Sequence, residues 1–331
     1  MKDFVPLRSL RNAHLMTLAA AFWPRRFPRL PASVTRLFEV EPETRVRGEC
    51  HWHENPRTHP TLMLVHGLEG SSESSYVLGT AEKAWVAGFN VVRLNQRNCG
   101  GTEKLSATLY HSGLSGDLRA VLRELIELDG LPELFAAGFS MGGNLVLKMA
   151  GEFGDSAPPQ LRGCVAVAPS FDLATCADAI AEPRNFIYEA HFVRRLKRRM
   201  RYKATLFPER FPIDGMREIR TVRDFDDLIT ARFCGFEGAE DYYERSSALQ
   251  LIAGIRRPTF ILVAQNDPVV PFTSFVGAAI DENSNITLLA PRYGGHCAFI
   301  SQESGDERFW SEARVVDFCK ERSTVNGGLG G

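Results

Sequence analysis

The sequence predicts an α/β fold: a mostly parallel, doubly wound sheet with a helical cap inserted into it. Three observations lead there. Short apolar runs recur along the chain and are continuous rather than alternating: "TLMLV" (61–65), "VVRL" (91–94), "LFAAGF" (134–139), "CVAVA" (164–168), "TFILVA" (259–264) and "ITLLA" (286–290). Strands covered by helices on both faces read this way, because both side-chain rows are buried. Helix-like segments separate the early runs, and that alternation breaks between about 171 and 250, where a cap can sit over the strand ends.

Taken in order, "VTRLFEVE" (34–41) and "TRVRGECHWH" (44–53) read as an antiparallel pair at one edge of the sheet. "SSYVLGTAEKAWVAG", "SGDLRAVLRELIEL" and "GGNLVLKMAGEF" are the helices that precede the second, third and fourth parallel runs. The expected division is a first core part over 1–170 with an N-terminal extension (1–35), a cap over 171–250, a second core part over 251–322 and a flexible tail over 323–331. Within the cap, "HFVRRLKRRMRYK" (191–203) carries seven basic residues between 194 and 203, with Phe192, Leu196 and Met200 as an apolar stripe. It reads as a solvated cap helix whose stripe packs inward, or as a basic face that rests on anionic lipid.

Bulk properties exclude several classes. With 39 basic and 40 acidic residues the formal net charge is −1, so nothing global favours nucleic acid. The cysteines Cys50, Cys99, Cys164, Cys176, Cys234, Cys297 and Cys319 are scattered, without the spacing of a zinc site or a disulfide framework. Reduced thiols in a cytoplasmic setting fit, with no metal site expected. "HLMTLAAAFW" (14–23) is too short to span a bilayer and reads as a buried helix or, with Arg8, Arg11, Arg25 and Arg26 flanking it, as a short surface-lying anchor.

The chemistry starts at Gly138-Phe139-Ser140-Met141-Gly142-Gly143. G-x-S-x-G alone is a weak motif, but here a buried run precedes it and a helix follows, the setting of a nucleophile elbow. The serine of such a turn is strained, and Gly138, Gly142 and Gly143 let neighbouring backbone approach it. A hydroxyl needs a base, and the elbow order is Ser, Asp/Glu, His. Asp267 follows the run 259–264 and His296 follows the run 286–290, so both sit at strand ends, with room between them for one helix. Asp172, after the run 164–168, is the rival acid. Met141 N–H and Leu68 N–H are the expected oxyanion donors, with His66 and Gly67 shaping the loop.

Four stretches together resemble the YheT-like branch of the α/β-hydrolases, which is related to eukaryotic abhydrolase-domain lipid hydrolases. They are His66-Gly67-Leu68-Glu69-Gly70-Ser71, Asn95-Gln96-Arg97-Asn98-Cys99-Gly100-Gly101, Leu109-Tyr110-His111-Ser112-Gly113 and the elbow. "RNAHLMTL" (11–18) is similar to that branch's Asn-x-His-x-x-Thr element, with Met16 where glutamine is usual. The resemblance spans about residues 10–320. It implies an α/β-hydrolase fold, a Ser140–Asp267–His296 triad, no cofactor and hydrolysis of carboxylic esters, with acyl esters or lipids as substrates. "NFIY" (185–188) and "ARFCGF" (231–236) are the expected pocket walls, while Gly100, Gly101 and His111 read as loop-shaping.

Other readings stay open at this point. The same triad serves thioesterases and acyltransferases, although Ser301 stands where an acyltransferase-type His-x4-Asp motif would need aspartate. Epoxide hydrolase or dehalogenase chemistry would want aspartate at position 140. A catalytically idle hydrolase fold used to bind a ligand or partner is the alternative from another class.

Overall fold

In the computed structural model, residues 3–277 and 279–325 are described. Eight strands form one sheet in the order β1-β2-β4-β3-β5-β6-β7-β8. They are β1 (Val34–Glu41), β2 (Thr44–His51), β3 (Thr61–Val65), β4 (Asn90–Asn95), β5 (Leu134–Phe139), β6 (Leu161–Val167), β7 (Thr259–Leu262) and β8 (Ile286–Leu289). Pairing is antiparallel from β1 to β2 and from β2 to β4, and parallel from β4 through β8. Helices α1 (Ala13–Phe22), α2 (Ser75–Val86), α3 (Ser115–Glu127) and α4 (Met141–Phe153) precede the fourth parallel strand, β6.

Successive strand residues point to opposite faces, and this chain uses both. Met63, Val65 and Ala136 share a cluster with Leu118, Val121 and Leu145 of α3 and α4. Their neighbours Leu62, Leu64, Phe135 and Ala137 pack with Val77 and Ala81 of α2 and with Val315 and Phe318 of α10 (Trp310–Arg322). Each Leu or Phe buried in this way contributes about 1.5–3 kcal/mol. Apolar residues on both strand faces are therefore what the helices on each side require.

Between β6 and β7 the chain runs through α5 (Leu173–Ala181), α6 (Phe186–Leu206), α7 (Val222–Phe225), a π-helical turn (Asp226–Ala231), α8 (Arg232–Cys234) and α9 (Ala239–Ser246). Among the described residues this stretch contributes no strand. Four expectations need correction. Among its described residues, the segment between Asp267 and His296 forms a 3-10 turn (Phe272–Phe275) before β8 and no α-helix. Helix α1 lies at the surface: Met16 is fully buried against Ala298 and Ile300, but Leu15 and Phe22 face solvent. Its other inward face is spent on the turn before Cys297, described below. Of the expected flexible tail, 326–331 lie outside the described residues, whereas Ser323 and Thr324 are tied to the Glu133 carboxylate.

The fourth correction concerns the cap. Neither "NFIY" nor "ARFCGF" lines the cavity next to Ser140. Asn185 is buried, its amide donating to the carbonyls of Ala179 and Pro268 at 2.7 Å each, which turns Phe186 and Ile187 out to solvent. Phe233 packs edge-on against Phe211, and Phe236 against His111 and Tyr242. The cavity wall is built instead by Ile180, Phe192, Leu196, Met200, Val222 and Phe225.

Candidate active site

Ser140 joins β5 to α4 at φ 53, ψ −120, a left-handed conformation for a residue with a side chain. Such a residue costs about 1–3 kcal/mol and persists only where its surroundings hold it. Here the glycines make the turn sterically feasible. A Cβ on Gly138 would lie 2.0 Å from the Gly142 carbonyl oxygen, and one on Gly142 would lie 2.4 Å from that of Val65. Since both obstacles are backbone, Gly142→Ala is expected to destabilise the fold by about 2–3 kcal/mol. A clear fall in the urea unfolding midpoint checks this; an unchanged midpoint would contradict it.

The three residues singled out from their order in the chain meet at the strand ends. Ser140 Oγ lies 3.0 Å from His296 Nε2. His296 Nδ1 lies 2.9 Å from Asp267 Oδ2 and 3.2 Å from Oδ1. Asp267 is held in turn, because its Oδ1 accepts the N–H groups of Val269 (2.8 Å) and Val270 (2.9 Å). The rival Asp172 is engaged elsewhere: it caps α5 by accepting the N–H and hydroxyl of Thr175. Burial works against a charged His296, yet the adjacent Asp267 carboxylate outweighs it and raises the imidazolium pKa well above its ordinary value.

Leu68 N–H and Met141 N–H are the two amides expected as oxyanion donors. Among the described residues, neither Leu68 N–H nor Met141 N–H has a backbone acceptor. Met141 opens α4, so its amide sits at the positive end of the helix dipole. The Leu68 loop is shaped by its neighbours. Gly67 N–H donates to Tyr76 Oη (3.0 Å), and a Cβ on Gly67 would come within 3.1 Å of Ser140 Cβ. His66 is buried with its ring turned to Gly67 O (2.8 Å) and to the Gln96 amide N–H (3.2 Å). Burial pushes it down to about 4, so it is a neutral loop brace. A Cβ on Gly143 would meet Pro169 at 2.9 Å.

Several residues of the quoted motifs contribute in ways that the sequence did not assign. Thr17 of α1 accepts the His296 backbone N–H at 2.9 Å while donating to Ala13 O at 2.8 Å, and Gly295 packs against the same hydroxyl. His14 of α1 meets Tyr188 of α6 at 3.2 Å, and Asn12 caps the helix. The "RNAHLMTL" element thus braces the His296 turn and touches the cap. Tyr110, Glu69 and Arg199 form a buried polar cluster beside Leu68. The signal available was the four-residue spacing of Arg195 and Arg199, which puts both on one face of α6.

A cavity opens from Ser140 and Met141 under the cap. Its free volume is about 100 Å³, where one water needs about 10–15 Å³. The stripe Phe192, Leu196 and Met200 faces this space. No helix among the described residues is long and apolar enough to cross a membrane.

Comparison with known proteins agrees with this architecture. A sequence profile of the alpha/beta hydrolase fold matches residues 60–302. A putative esterase, YheT, of Escherichia coli (strain K12) is 30% identical over 326 residues, covering 96% of this chain and 92% of that one. Phospholipase ABHD3 of Mus musculus is 26% identical over 250 residues, covering 75% of this chain and 60% of that one. Among solved structures, 2,6-dihydroxy-pseudo-oxynicotine hydrolase superposes with a TM-score of 0.61 at 18% identity, over 94% of this chain and 72% of that one. The chain belongs to the α/β-hydrolase family and is similar, over nearly its whole length, to the YheT-like esterases.

Proposed function

We propose that this protein is a serine esterase that cleaves carboxylic esters with apolar acyl groups through an acyl-enzyme on Ser140. One observation carries the reading: the continuous line from Ser140 Oγ to His296 Nε2 (3.0 Å) and from His296 Nδ1 to Asp267 (2.9 Å). In this reading Ser140 Oγ attacks the acyl carbonyl carbon while its proton passes to His296 Nε2. Asp267 keeps the imidazole ring oriented and stabilises the imidazolium. The carbonyl oxygen becomes an oxyanion against the N–H groups of Leu68 and Met141. His296 then returns the proton to the leaving alkoxide, so an alcohol departs. Water, deprotonated by His296, releases the acid and restores Ser140.

The acyl preference rests on the cavity, whose walls near Ser140 are largely aliphatic and aromatic. The names of two relatives, a putative esterase and a phospholipase, are consistent with an acyl ester. The protein is read as cytoplasmic, and contact with anionic lipid through α6 would rest on a narrow base. Arg194, Arg198 and Arg201 face solvent, whereas Arg199 and Lys203 point into the protein. Hydrolysis of p-nitrophenyl esters from acetate to palmitate, beside the matching acyl thioesters, tests the substrate class. Turnover of oxygen esters with an optimum at intermediate chain length is expected. Faster turnover of thioesters would move the assignment to a thioesterase, and no turnover of either would favour a binding protein.

A further inference from the structure

The basic cap helix and the "LYHSG" motif meet at one residue, Glu69, which directly follows Leu68. Glu69 is buried and has left-handed backbone at φ 59, so its neighbours must hold it there. They hold every polar group it has. Its Oε1 accepts the Tyr110 hydroxyl at 2.8 Å, and its own N–H reaches that hydroxyl at 3.3 Å. Its Oε2 pairs with Arg199 Nη2 at 3.0 Å, with Arg195 Nε further off at 3.7 Å. Its carbonyl accepts Arg195 Nη2 at 2.7 Å.

Arg199 is fixed as well. Its guanidinium lies 4.6 Å above the Tyr110 ring and donates to Cys99 Sγ at 2.8 Å. Its side chain keeps 14% of its surface exposed, against 4% for Glu69, so this is a buried pair and not a screened surface one. On the other side of Leu68, Gly67 is anchored to Tyr76 and to Gly70 N–H. The Leu68 peptide is therefore clamped at both ends, while its N–H points to no backbone acceptor among the described residues.

We propose that Arg199 is a positioning residue: through Glu69, it fixes the Leu68 amide as an oxyanion donor, making cap helix α6 part of the catalytic machinery. The proposal rests on the esterase reading above. Without Arg199 the Glu69 carboxylate keeps only the Tyr110 hydroxyl and a distant Arg195. The loop then has reason to turn toward water and take the amide with it. Misplacing such a donor by about 1 Å costs on the order of 10²-fold in rate.

The test uses Arg199→Met, Arg199→Lys and Glu69→Gln in the full chain, assayed on the best p-nitrophenyl ester. Arg199→Met is expected to lower kcat by about 10–100-fold with KM changed less than about threefold. Arg199→Lys should recover part of the loss. The double variant Arg199→Met/Glu69→Gln should be no slower than the slower single variant, since both act on one loop. An alkyl trifluoromethyl ketone, which forms an oxyanion on the serine, should bind Arg199→Met more weakly by a similar factor, with affinity for the product acid retained. Three results would overturn the proposal: a change in KM or chain-length preference with kcat kept, additive losses in the double variant, or unchanged ketone affinity. If Arg199→Met does not fold, Tyr110→Phe carries the same kinetic and ketone comparison. Hydrolysis that survives Ser140→Ala would instead mark failure of the esterase reading, whatever Arg199 does.

Discussion

Replacing Ser140 by alanine is expected to lower ester hydrolysis by about 10⁴-fold or more while the protein stays folded. The hydroxyl faces His296 Nε2 at 3.0 Å, so in the proposed mechanism its loss removes the nucleophile and leaves the base without a proton to take. The fold should tolerate the change, because alanine keeps the same Cβ and meets the same backbone strain at φ 53. Activity above the uncatalysed rate need not vanish entirely, since the two amides can still polarise a bound carbonyl. Parallel assays of kcat/KM and thermal unfolding check this. Full activity in the variant would remove Ser140 from the mechanism.

Asp267→Asn carries the second large effect, a fall in kcat of about 10³–10⁴-fold near neutral pH. Asparagine fits the site and can still accept from Val269 and Val270 N–H through its oxygen. Its NH₂ group, however, offers a hydrogen to His296 Nδ1 where the carboxylate accepted one. That favours the tautomer with the proton on Nε2, so the nitrogen facing Ser140 can no longer act as a base. The pH profile gives an independent reading. His296 must be neutral to work, so kcat/KM rises with pH through the apparent pKa of the His296–Asp267 pair. The carboxylate raises that value against the effect of burial. Once it is gone, burial is opposed only by the neighbouring Cys297, and the acid limb should move to lower pH. A limb that stays in place, or moves upward, would contradict the pairing.

How much of this was legible in the sequence differs by element, for physical reasons. The parallel strands were plain because helices cover both faces of the sheet, leaving Leu62 and Met63, or Phe135 and Ala136, equally buried. The candidate site residues could be brought together from sequence because each falls just beyond a strand run, where this topology gathers its strand ends. Only the strained turn at Ser140, with glycines facing backbone at Val65 and Gly142, needed special residues that stand out.

The cap was read less well. The direction of Phe186 and Ile187 is decided by Asn185 bonding to Pro268, 83 positions away, and no local period encodes that. Likewise the basic run 194–203 looked like a solvated face. In the folded chain Lys203 donates to Asn98 Oδ1 at 2.5 Å, and Arg199 reaches Glu69, both across more than a hundred positions. Thr17, quoted within "RNAHLMTL", was given no role for the same reason, since its partner is the backbone of His296. In each case a polar side chain finds its partner only through the tertiary fold.

The most direct measurement is covalent labelling with a fluorophosphonate, followed by peptide mass spectrometry of wild type and Ser140→Ala. A single stoichiometric adduct on Ser140, absent from the variant and prevented by an ester substrate, is the expected result. An enzyme that hydrolyses esters yet carries no adduct, or carries it on another residue, would contradict a mechanism that runs through Ser140.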